Sequence, residues 1–199
     1  MAAGKEKLSS RGDTEAARSV ACRPDSKRIV SGSGREDPAG RERPPGEVKV
    51  WDAEKGQEVL ALKGHAWYVS SVCFSPDGKR IVTGGGDVGK PGEAKVWDSA
   101  TGGLLLTLKG HTGWVVSVAY SHDSKRIVTG AGEAKVWNAE SGQELLTIKE
   151  QAARVWSVAF SPDGKRVVSA RSDGTAKIRD SNTGQELRTI KAHSSEVRG

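Results

Sequence analysis

Short β-branched segments alternate with turn-forming clusters along almost the whole chain. The clearest run lies between Gly64 and Asp98. There Val69-Ser70-Ser71-Val72-Cys73-Phe74 is followed by Ser75-Pro76-Asp77-Gly78, then by Arg80-Ile81-Val82-Thr83-Gly84, a glycine-rich stretch, and Ala94-Lys95-Val96-Trp97-Asp98. Pro76 presets φ for the first corner of a turn, and Asp77-Gly78 lets the chain reverse. Three such segments predict three antiparallel strands. Leu104 to Leu108 predicts a fourth, just before Gly110-His111.

The unit recurs four times. Its first strand reads Ser19-Val20-Ala21-Cys22, Ser71-Val72-Cys73-Phe74, Ser117-Val118-Ala119-Tyr120 and Ser157-Val158-Ala159-Phe160. Its third ends in Trp51-Asp52, Trp97-Asp98, Trp137-Asn138 and Arg179-Asp180. From Val20 to Val72, Val118 and Val158 the steps are 52, 46 and 40 residues. Four strands per unit with Gly-His and Trp-Asp markers at about 40–45 residues is a repeat signature. Over residues 8 to 199 the chain resembles the WD-repeat β-propeller family. The resemblance implies an all-β fold, a propeller segment of four antiparallel four-stranded blades.

The expected units are a polar N-terminal segment at 1–18, repeats at 19–63, 64–109, 110–149 and 150–191, and the start of a further repeat at 192–199. Residues 8–18 read as the worn tail of a preceding fourth strand, because Arg11-Gly12-Asp13-Thr14 aligns with Lys109-Gly110-His111-Thr112. The chain thus reads as cut from a longer array. Arg11-Gly12-Asp13 is also an adhesion tripeptide, a reading set aside because Met1 to Ser10 lacks the apolar core of an export signal.

By the same resemblance, His65, Thr83, Asp87 and Trp97 form a hydrogen-bonded tetrad that ties the second blade together. A buried indole N–H needs an acceptor, and a threonine hydroxyl supplies one. Asp, His and a hydroxyl are also the parts of a hydrolase triad, but a nucleophile must face substrate and this hydroxyl is expected inside a sheet. No catalytic residues are assigned. The other blades depart from the pattern: Asp13 and Arg35 replace His and Asp in blade one, Glu133 replaces Asp in blade three, and Gln151 and Arg179 replace His and Trp in blade four. The terminal blades are therefore expected to be looser than blade two.

Composition changes this picture little. A net charge of +6 raises the question of nucleic acid. The positive charges recur in pattern, however, as Lys27-Arg28, Lys79-Arg80, Lys125-Arg126 and Lys165-Arg166, each two residues after an Asp. That spacing predicts an interspersed, solvated ring rather than a phosphate track. Apolar runs reach about five residues, far short of a membrane span, so the cytoplasm is the expected compartment. Cys22 and Cys73 fall among apolar neighbours in two first strands and read as small core residues. No metal and no cofactor is expected.

Two loops vary in length. Residues 32–46 carry an insertion in the first repeat and Gly85 to Gly92 a smaller one at the same place in the second. They read as tolerated surface loops or as paired binding loops. Gly84-Gly85-Gly86-Asp87-Val88-Gly89-Lys90 imitates a phosphate-binding loop, but Pro91 follows and a strand, not a helix, comes next.

Function in such a scaffold sits on rims. The residues just before each first strand are Arg18, Trp67, Tyr68, Trp114, Arg154 and Trp156. Aromatics and arginines dominate protein-binding hot spots, so these six are the candidate protein-binding residues. Trp67 and Trp114 are expected to be exposed, and Trp156 either binds or packs between blades. The resemblance implies a non-catalytic scaffold for protein or peptide partners. Nucleic acid binding and a fragment of a larger regulator are the alternatives. Four blades leave two naked faces, expected to carry Val20, Ile29 and Val30 at one end and Val158, Val167 and Ile178 at the other. A homodimer closing an eight-bladed ring would cover them, with Arg179 and Asp13 as a conceivable pair across the joint.

Overall fold

The computed structural model describes residues 16–34, 45–87, 89–149 and 153–193. The expectations for Asp13, Arg35, Gln151, most of the first insertion and residues 194–199 lie outside these. Every predicted strand run is a strand. Blade one holds β1 (Ala17–Cys22), β2 (Arg28–Ser33), β3 (Val48–Asp52) and β4 (Glu58–Leu62). Blade two holds β5 (Val69–Phe74), β6 (Arg80–Gly85), β7 (Glu93–Asp98) and β8 (Leu104–Leu108). Blade three holds β9 (Ser117–Tyr120), β10 (Arg126–Gly130), β11 (Ala134–Asn138) and β12 (Glu144–Ile148). Blade four holds β13 (Val155–Phe160), β14 (Arg166–Arg171), β15 (Thr175–Asp180) and β16 (Glu186–Lys191). Each blade is a four-stranded meander, paired antiparallel in sequence order.

Local chemistry explains the strand ends. In the turn after β5, Ser75 Oγ donates to Asp77 Oδ1 (2.6 Å), which also accepts the Lys79 N–H (3.0 Å), and Gly78 takes φ 71°. The Asp or Asn that ends each third strand is a cap: Asp98 Oδ1 accepts the N–H groups of Ala100 (3.0 Å) and Thr101 (2.7 Å). Asp52, Asn138 and Asp180 do the same in their blades. A side-chain oxygen that mimics a backbone turn is the reason for Asx at this point. A bulge at the start of β5 lets Val69 and Val72 both be buried, although three residues apart on a strand would otherwise place them on opposite faces.

The core lies between blades, in three layers. Val30, Val48, Val50 and Leu62 of blade one meet Val69, Val72, Phe74, Ile81 and Trp97 of blade two. The same positions pack blade two on blade three and blade three on blade four. This corrects the expected composition of the end faces. Val30, Val158 and Val167 point inward and are buried in joints, while Val20, Ile29 and Ile178 belong to the faces that no described residue covers. Cys22 is exposed on that first face instead of buried, and Cys73 is half-buried.

The Lys-Arg pairs also differ from expectation. The lysines are exposed, but Arg80 and Arg126 are half-buried and reach across to the next blade. Arg80 Nη1 donates to the Ala139 carbonyl (2.6 Å), and Arg126 Nη1 to Ser181 Oγ (3.0 Å) and Asn182 Oδ1 (2.9 Å). Two of the four arginines in the supposed solvated ring fasten blades to one another.

A candidate binding groove on the blade rim

Buried polar side chains in the inner blades are joined in chains of hydrogen bonds. In blade two, Trp97 Nε1 donates to Thr83 Oγ1 (2.9 Å) and His65 Nε2 lies 2.7 Å from the same oxygen. Glu93 Oε1 lies 3.8 Å from His65 Nδ1, beyond hydrogen-bond reach, and Asp87 is buried nearby on the glycine-rich loop. Blade three repeats the arrangement more tightly, with Trp137 Nε1 to Thr129 Oγ1 at 2.8 Å, His111 Nε2 to Thr129 at 2.6 Å, and His111 Nδ1 to Glu133 Oε1 at 2.9 Å. A carboxylate can only accept, so Nδ1 carries the proton and Nε2 receives the threonine O–H. Both threonine side chains belong to residues with no exposed surface. A hydroxyl sealed in a sheet meets no substrate, and the tetrads are structural ties.

The end blades substitute other ties. Trp51 Nε1 donates to Ser31 Oγ (2.9 Å) in blade one. In blade four Arg179 is buried, donates to Ser169 Oγ (3.3 Å) and faces Glu186 Oε2 (3.8 Å). It is part of the blade interior and is not placed to reach across an open joint. Sequence reasoning also missed Arg171. At the matching position in blade two, a Cβ on Gly85 would sit 3.3 Å from His65 Nδ1. Blade four puts a buried guanidinium there, paired with Asp173 Oδ2 (3.0 Å).

On the rim, the starts of the first strands and the loops before them lie side by side: Trp67, Tyr68, Trp114 and Arg154 precede their strands as expected, whereas Arg18 falls inside β1 and Trp156 inside β13. Arg18 donates through Nε to the Gly34 carbonyl (2.9 Å), and its guanidinium sits 4.9 Å from the centroid of the Tyr68 ring. Tyr68 in turn meets Trp114 edge-on, with centroids 5.8 Å apart. Tyr68 is 4 % exposed, so it is a buried prop beneath the rim and not a contact residue as expected. Trp67 is half-buried and its carbonyl accepts the Gly46 N–H (3.1 Å).

Trp114, Arg154 and Trp156 come together. They line one groove of about 250 Å³ with Asp87, Val116 and Ala131. Trp114 and Trp156 are half-buried and Arg154 is exposed. The Arg154 N–H donates to Ser172 Oγ (3.0 Å) and its carbonyl accepts the Ser172 N–H (2.9 Å), which fixes the loop that carries the side chain. The glycine-rich loop of blade two forms another wall, and its glycines have a packing reason. A Cβ on Gly86 would meet Trp114 Cβ at 2.6 Å, and one on Gly92 would meet the Val115 nitrogen at 2.5 Å. The phosphate-loop imitation is thus a loop pressed backbone to backbone against its neighbour.

The family model of the WD domain, G-beta repeat, matches residues 56–98, 102–138 and 142–180. The chain belongs to the WD40 repeat family. Each match begins before the last strand of one blade and ends with the third strand of the next, so the sequence repeat straddles two blades. No curated protein matches the chain. WD40 domains are generally non-catalytic and commonly serve as interaction scaffolds that bind proteins. Among the described residues no group of three or more His, Cys, Asp and Glu is placed to hold a metal ion, and no helix is long and apolar enough to cross a membrane.

Proposed function

We infer that this WD40 segment is a scaffold that holds a protein or peptide partner in the groove between blades two, three and four. The observation that carries the reading is the convergence of Trp114, Arg154 and Trp156 on one concave site, opposite Asp87. Two indoles give large apolar contact at low entropic cost, and Arg154 adds a charge-assisted bond at the rim. A segment with an aliphatic or aromatic anchor beside an acidic residue suits this lining. Trp67 and Tyr68 fall outside the contact set, and Arg18 supports it through the Tyr68 stack.

A nucleic-acid partner is the weaker reading despite the +6 charge. Lys95, Lys135 and Lys177 each lie within 3.1 Å of a glutamate, and Lys49 is 3.2 Å from Glu47, so the lysine column of the third strands is neutralised within each blade. The test selects binders from a displayed random peptide library and measures them by fluorescence anisotropy. Trp114→Ala and Arg154→Glu should each weaken the selected peptide at least about tenfold while the melting temperature holds. Unchanged affinity in both variants removes the groove from the reading. An affinity for single-stranded oligonucleotide that falls steeply with salt would favour the rival partner.

A further inference from the structure

The three joints between neighbouring blades are built from one set of positions. Two valines of the following blade close on a glycine in the second strand of the preceding one: Val69 and Val72 on Gly32, Val115 and Val118 on Gly84, Val155 and Val158 on Gly130. A Cβ at these glycines would meet valine Cγ1 atoms at 2.8, 2.7 and 2.9 Å, so each joint is a knob in a fitted hole. A serine beside the hole adds a polar link. The N–H groups of Val72, Val118 and Val158 donate to Ser19, Ser71 and Ser117 Oγ, each at 3.1 Å. The arginine reach of Arg80 and Arg126 completes the set.

Blades one and four hold the two halves of a fourth joint. Val20 is 67 % exposed, whereas its counterparts Val72, Val118 and Val158 are 5–6 % exposed. Ile190 is 44 % exposed, against 1–4 % for Leu62, Leu108 and Ile148. Ile29 and Trp51 are half-buried where Ile81 and Trp97 are sealed. On blade four, Ser157 stands at the acceptor position of Ser19, and Arg166 is exposed at the position of Arg80.

Two departures from the repeat fit each other. Blade four carries Ala170 where the other blades carry the glycine hole, and blade one carries Ala17 where the others carry the first valine knob. The hole has gained a methyl on the side from which the knob has lost two. The β-turn adds a second match. Its fourth residue alternates as Ser26, Gly78, Ser124 and Gly164, and across the second joint the Asp77 N–H donates to Ser124 Oγ (3.1 Å). A joint from blade four back to blade one would have the same glycine-to-serine order, and would set Asp163 against Ser26 as Asp77 is set against Ser124.

We propose that blade four of one copy receives blade one of a second copy through this same joint, and that two such contacts close an eight-bladed ring. The contact is head-to-tail, and such contacts end in a ring when the rotation closes. Eight blades is within the range propellers adopt. The proposal does not depend on the groove, which is complete within one chain, so either can fail without the other.

Light scattering on the full chain at about 50 μM, well above the dissociation constant of an ordinary stable interface, reads the mass. The expected result is twice the 21.1 kDa of one chain. A monomer of 21.1 kDa overturns the proposal, and so does an open ladder of larger species. Val20→Glu and Ile190→Glu, each checked for an unaltered circular dichroism spectrum, should separately be monomeric. Mixed together they should pair again, because the intact blade four of the first fits the intact blade one of the second. An Ile190→Glu chain that stays dimeric, or a mixture that stays monomeric, overturns the head-to-tail joint.

Discussion

Among single residues, the two buried histidines carry the clearest consequence. Burial and the charge of Lys95 push the His65 imidazole down to about 3, and burial outweighs the Glu133 carboxylate to hold His111 below its ordinary value as well. A folded-state value below the unfolded one means that the unfolded chain takes the proton first. Both ties are therefore at full strength above about pH 6.5 and lose stability as the pH falls, for His65 down toward 3, at up to about 1.4 kcal/mol per unit per histidine. The carboxylates held low by their hydrogen bonds, such as Asp98 beside Thr101, add their loss only below about pH 4. The melting temperature should thus fall between pH 6.5 and 5, and His65→Gln with His111→Gln should flatten that slope. A level profile in the unsubstituted chain over the same window would show that the imidazoles are not held neutral by burial. The sequence made His65, Thr83 and Trp97 legible because each residue type has one obvious bonding need. It did not reveal that Glu93 lies near the ring, since an acid at the start of the third strand and one in the preceding loop look equally able to accept. Blade three, with its loop shortened to Gly130-Ala131-Gly132, brings Glu133 to 2.9 Å and is tied more closely than blade two, which had looked the better kept.

Blade-to-blade joints make their own prediction at the level of the strand. Gly84→Ala puts a methyl within 2.7 Å of Val115 and Val118 Cγ1, and overpacking of this kind costs roughly 1–3 kcal/mol. Val115→Ala alone opens a void, yet combined with Gly84→Ala it restores room for the new methyl. The double variant should therefore be more stable than the sum of the two single losses, with a coupling of about 0.5–3 kcal/mol in urea unfolding. Strict additivity would mean that knob and hole do not sense each other, and would also remove the compensation argued for Ala17 and Ala170. The strands and turns around these joints could be read directly, because Ser75-Pro76-Asp77-Gly78 and the alternating valines state their geometry locally. The arginine links could not. A Lys-Arg pair after a turn has the pattern of a solvated edge, and only the fold brings Arg80 to the carbonyl of Ala139, 59 residues away.

For the whole molecule, stability should follow the number of joints each blade makes. An array of this kind is held by its units and their nearest-neighbour contacts, so inner and outer blades need not open together. Blades two and three have a packed layer on each side, while blades one and four have one each among the described residues. The rim could be legible only in part for the same reason: the sequence placed Trp114 and Arg154 at the position of Tyr68, and Trp156 at that of Arg18, but whether a side chain there is exposed depends on the neighbouring blade, and Tyr68 is covered by Arg18 and Trp114. The measurement that separates joint number from strand chemistry compares the second strands β2, β6, β10 and β14. All four sit between two paired strands and carry similar β-branched runs, so their intrinsic protection should match. Hydrogen exchange on dilute chain should nevertheless be slower in β6 and β10 than in β2 and β14. Raising the concentration from about 1 to about 100 μM should then slow β2 and β14 selectively, because a ligand-like second copy stabilises only the state it binds. Equal exchange in all four strands at every concentration would mean that the array opens as a single unit, and the ranking by joints would be wrong.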